Sequence, residues 1–114
     1  MNSSELGVLN DANEIRYQCD LEALDTVQRK RRAELAAEVW HQSLEMRELT
    51  TGFEFRFNFS PALLNNIAEL AILEHLCCPF FDITLKLERD KGPLWLQITG
   101  GIGVKEFLKA EMNL

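Results

Sequence analysis

No apolar run in the 114 residues approaches the ~20 needed to cross a bilayer as a helix. The opening stretch MNSSELGVLNDANE has neither a positive start nor an apolar core, so no secretory signal is expected. The expected location is therefore the cytoplasm. Basic residues are also short: 12 Lys and Arg stand against 18 Asp and Glu, for a net charge of −6. Nucleic-acid binders usually present a basic face, so direct nucleic-acid binding is not expected. The one basic run, Arg29-Lys30-Arg31-Arg32, falls on a predicted helix and spreads around it instead of forming a stripe. There are only three cysteines, Cys19, Cys77 and Cys78. The odd count argues against a disulfide framework, and in a reducing cytoplasm all three are expected as thiols. No Ser-His-Asp set, nucleotide fingerprint or carboxylate dyad can be placed. Gly100-Gly101-Ile102-Gly103 lacks the lysine of a phosphate-binding loop and the spacing of a dinucleotide fingerprint, and reads as a turn.

What remains is an ordinary globular composition, 46% hydrophobic and 26% charged. The length fits one domain, expected over residues 13–114 behind a flexible tail over residues 1–12. Ile15, Tyr17 and Cys19 alternate with polar residues as a short strand. Asp25 and Gln28 form a capping-box pattern, and a long helix is predicted from Thr26 to about Glu48. Its apolar stripe holds Leu24, Leu35, Val39 and Met46 and is interrupted by Arg31 and Gln42. Phe53, Phe55, Phe57 and Phe59 alternate with polar residues as the clearest strand. Ser60-Pro61 opens a second helix that Pro79 ends after Cys77. Alternating runs over residues 82–88 and 94–99 flank a Gly-containing turn, which reads as a hairpin. A last amphipathic helix carries Val104, Phe107 and Leu108 on one side. The order β-α-β-α-β-β-α, with one apolar face per strand, predicts an α+β fold. Its sheet is mainly antiparallel with helices packed on one face.

The second helix carries the anomaly. At about 100° per residue, Leu63, Ile67, Leu70, Glu74, Cys77 and Cys78 share one face. A carboxylate on a core-facing stripe must take a proton, an arginine, backbone donors or a metal, and burial should raise its pKa. Arg31 is the expected arginine, ahead of Arg56 on the polar side of its strand. Two thiols and a carboxylate form a ligand set for Zn²⁺ or another thiophilic ion, and Cys19 would add a third sulfur if the fold brings it close. The alternative is that the cysteines pack as small core hydrophobes. The helix C-terminus, with its partial negative charge, weighs against an acidic, reactive thiol and so against a thiol enzyme. His41 and His75 lack ligand spacing and read as surface residues.

The segment from Glu74 through Phe80, followed by GPLWLQITG and GVKEFL, resembles a group of small bacterial domains marked by Glu-x-x-Cys-Cys-Pro-Phe. The likeness runs from the Cys19-Asp20-Leu21 lead-in to near the end of the chain. His75-Leu76 and the Gly100–Gly103 turn depart from that group's usual residues. Some members stand beside MerR-type metal-responsive regulators. The resemblance implies a heavy-metal or thiol-stress setting, with Glu74, Cys77, Cys78 and Cys19 as the metal-binding candidates. The partners it suggests are a metal-responsive regulator or a second copy of the chain. The competing expectation is a non-enzymatic structural or interaction module with buried cysteines.

Overall fold

A computed structural model describes residues 8–9 and 15–114. The fold is α+β, as expected. Strands β1 (Val8–Leu9) and β2 (Ile15–Arg16) pair with each other and stand apart from the main sheet. The order then runs α1 (Thr26–His41), β3 (Glu45–Leu49), β4 (Gly52–Phe57), α2 (Pro61–Cys77), β5 (Phe81–Leu87), β6 (Leu94–Gly100) and α3 (Val104–Met112). The main sheet is antiparallel throughout, in the order β3-β4-β6-β5.

Alternation on the central strands builds the two faces. Phe53, Phe55 and Phe57 sit beside Ile98, Leu96 and Leu94 in register. All six are buried in one core cluster with Leu35 and Val39 of α1, Leu63, Ile67, Leu70 and Leu73 of α2, and Val104 and Leu108 of α3. The helices therefore cover one face of the sheet. The other face is polar: Gln97 donates to Glu54 at 2.8 Å, Arg56 donates to Glu45 at 2.9 Å, and the Arg47 guanidinium lies 4.4 Å above the Trp95 ring. Arg56 is thus engaged away from the core, as its place on the strand implies.

Three expectations are corrected. The long helix does not reach Glu48. It ends at His41 with Gln42 as C-cap, and residues 45–49 form edge strand β3. That segment has no strong period of its own. Pairing with β4, reinforced by the Arg56–Glu45 ion pair across the strands, overrides its helical compatibility. Ile15–Arg16 does not join the main sheet, and Tyr17–Asp20 is an extended lead-in. The pairing of Val8–Leu9 departs from the tail expected over residues 1–12, the rest of which lies outside the described residues. Gly52 opens β4 at its turn with β3, where an added Cβ would run into the backbone carbonyl of Ile98.

The remaining elements follow their local signals. Ser60 Oγ accepts from the Leu63 N–H at 3.0 Å with Pro61 as the first helical residue, and α2 ends at Cys77 with Cys78 as its C-cap. The hairpin β5–β6 forms as expected, although Asp90 and Lys91, not Gly92, take its positive φ angles.

Candidate functional site

The C-terminal end of α2 presents Glu74, Cys77 and Cys78 together. One ligand atom from each lies within 4.8 Å of the others. The helix repeat places them there, and Pro79 stops the helix before a further turn can bury Cys78 elsewhere. Cys77 and Cys78 are fully buried.

Cys19 reaches the same place from the other end of the chain. The Tyr17 ring packs on Phe80 with centroids 4.7 Å apart and edge-on to Phe107. Its hydroxyl donates to the Ile102 carbonyl. Past Cys19, the Asp20 N–H donates to the Cys77 carbonyl at 2.7 Å. With both sides of Cys19 anchored, its Cα lies 4.6 Å from that of Cys78, and the two residues form a disulfide. This overturns the expectation of three free thiols. The odd count concealed a pair, because two of the cysteines are adjacent and only one of them faces the lead-in. Cys77 is the remaining thiol; its Sγ lies 3.4 Å from the Cys78 Sγ, to which its S–H donates. The Cys78 Sγ also lies 3.5 Å from Glu74 Oε2.

Glu74 takes an arginine, but not the expected one. Arg32 Nε stands 2.8 Å from Glu74 Oε1, with the two side chains only 27% and 18% exposed. Arg31 instead grips Glu69 through Nε and a terminal nitrogen, each at 2.8 Å. The reason is helical phase. Arg32, Ala36 and Trp40 recur every fourth residue and form one inward row, whereas Arg31 lies about 100° away. That row of small and aromatic residues was the available signal for Arg32. The Arg32–Glu74 contact has ion-pair length, yet the Nε–H is misdirected and finds no hydrogen-bond acceptor among the described residues.

Burial sets the electrostatics. It pushes the Glu74 carboxyl above its ordinary range, and the Arg32 guanidinium offsets part of that rise. The Cys77 thiol is also pushed up, by burial first and then by the Glu74 charge. A raised thiol pKa at a helix C-terminus is the opposite of what activates a nucleophile. His41 and His75 are exposed and lie outside the cluster.

Comparison with protein-family models, with curated proteins and with solved structures finds no match for this chain. Among the described residues no helix is long and apolar enough to cross a membrane.

Proposed function

We propose that the reduced protein binds one thiophilic metal or metalloid ion through Cys77, Cys78 and Glu74, with Cys19 as a third sulfur. The carrying observation is the convergence of three cysteines and a carboxylate from two distant parts of the chain. In this reading the Cys19–Cys78 disulfide is the oxidised form of the ligand set. Two electrons and two protons from a dithiol reductant open it to two thiols. The incoming ion then displaces the thiol protons. Sulfur donors favour Zn²⁺, As(III) or Hg²⁺ over harder cations. The partial negative charge of the α2 C-terminus favours a cation there. A reducing cytoplasm is the setting in which the ligands are free.

Native mass spectrometry tests this with full-length protein, oxidised or fully reduced, titrated with Zn²⁺ or arsenite under anaerobic conditions. The reduced form should take up one ion per chain and the oxidised form none. Cys77→Ser and Cys78→Ser should each abolish uptake. No binding by the reduced protein, or binding indifferent to both substitutions, overturns the reading.

One observation favours a second reading. Cys77 and Cys78 are fully buried and one of them is covalently tied to Cys19, which suits a structural or interaction module. Ile72 and Leu76 stand 61% and 45% exposed, one turn apart on α2, and line a groove beside edge strand β5. This face suits a second copy of the chain. The same spectra report a dimer, and added MerR-type regulator tests the partner that the sequence resemblance suggests. A dimer that persists without ion uptake in any redox state would favour the module.

A further inference from the structure

A cavity of about 150 Å³ lies between the helices and the sheet, next to the sulfur cluster. Its apolar wall includes Ala36 and Trp40 of α1, Ala71 of α2, Ile98 of β6 and Phe107 and Leu108 of α3. The two alanines matter, because larger residues at those positions would fill the space. Dry apolar cavities of roughly this size admit a benzene-sized molecule.

The wall also carries Arg32, Glu74 and Glu111. Arg32 Nε is buried, and among the described residues its N–H is aligned on no acceptor, although Glu74 Oε1 lies 2.8 Å away. An acceptor placed in line with it would complete its hydrogen bonding. Glu74 Oε1, beside it, can accept a hydrogen bond. The ion pair already balances Arg32, and Glu111 adds a second carboxylate to the rim. A further negative charge there would be repelled. The complementary head is therefore uncharged, with an oxygen that accepts from Arg32 and, in an alcohol, a hydrogen that donates to Glu74.

The geometry points to a binding site for a small neutral ring or branched aliphatic molecule bearing one hydroxyl or carbonyl group. The site uses the disulfide form of the protein and needs no metal, so it stands or falls independently of ion binding.

The test uses the oxidised, metal-free full-length chain carrying Trp95→Phe, which leaves Trp40 in the cavity wall as the fluorescent reporter. Cyclohexanol, cyclohexane and cyclohexanecarboxylate, all transparent where tryptophan is excited, are titrated by fluorescence, and cyclohexanone, whose carbonyl absorbs there, by calorimetry. The expected result is saturable change with the alcohol and ketone, at least tenfold tighter than with the carboxylate. Ala71→Leu and, from the opposite helix, Ala36→Leu should each weaken the alcohol at least tenfold while circular dichroism stays unchanged. Arg32→Met should erase the preference of the site for the alcohol over cyclohexane. No saturable change with any of the four probes overturns the proposal, and so does tighter binding of the carboxylate. Ring binding that survives both alanine replacements in folded protein places the ligand elsewhere and also overturns it.

Discussion

The Asp20 N–H donates to the Cys77 carbonyl at 2.7 Å, joining the lead-in before α1 to the last turn of α2. This bond satisfies a carbonyl at a helix end, where no intrahelical donor is left for it. It also holds Cys19 against Cys78. The disulfide therefore closes a contact that non-covalent packing supports on both sides.

Opening the disulfide should lower stability by about 2–4 kcal/mol, because it closes a loop with a sequence separation of 59 residues. Urea midpoints with and without a dithiol reductant measure the difference. In Cys19→Ser the two midpoints should coincide.

Replacing the two neighbouring arginines should separate their roles. Arg32→Met leaves Glu74 charged and unpaired in a mostly buried position and should cost about 2 kcal/mol. Arg31→Met removes an ion pair between half-exposed side chains, screened by solvent, and should cost clearly less than Arg32→Met. Equal losses in chemical denaturation would contradict the assignment of Arg32 as the inward partner.

Glu74 should make stability depend on pH in a defined direction. Its folded pKa lies above the unfolded one, so the native state holds the proton more tightly. The favourable contribution is complete below the unfolded value and is lost as pH rises through the folded value. Glu74→Gln mimics the protonated form. It should gain stability relative to the unsubstituted protein as pH rises from about 4 to about 8. Urea midpoints across that range report the trend, and parallel profiles for the two proteins would contradict it.

Gly52→Ala should cost about 2–4 kcal/mol, because the new methyl, at the hairpin end of the central strand β4, meets the Ile98 backbone and not a movable side chain. Thermal denaturation of the variant checks this. A loss below about 0.5 kcal/mol would mean that β4 and β6 can part at this point without consequence.

Much of this structure is legible where local chemistry and global packing agree. The strand of Phe53, Phe55 and Phe57, the Ser60-Pro61 start of α2 and its stop before Pro79 all follow from residues within a few positions of one another, although the expected fourth phenylalanine, Phe59, falls past the end of β4 and is exposed. So does the convergence of Glu74, Cys77 and Cys78, since residues spaced i, i+3 and i+4 share one helix face. Legibility fails where the deciding interaction is distant. Residues 45–49 fit a helix by themselves, and only the partner strand β4 makes them a strand. Arg31 and Arg32 differ by one step along the chain. The choice between them rests on the phase at which α1 meets α2, which the stripe through Met46 misjudged because Met46 is not in the helix. The Cys19–Cys78 pairing depends on Tyr17 finding Phe80 and Asp20 finding Cys77, contacts that no periodicity encodes.

The bond between Cys19 and Cys78 also divides the chain mechanically. When the two ends are pulled, tension crosses directly from the lead-in to the end of α2, and α1, β3, β4 and most of α2 bear none of it. Only β5, β6, α3 and the terminal segments can extend. The oxidised chain should therefore yield roughly 200 Å less length than the reduced one in a single-molecule stretching trace, from the sequence separation of 59 that the disulfide bridges. Redox state would set how far this protein can be stretched as well as how stably it folds.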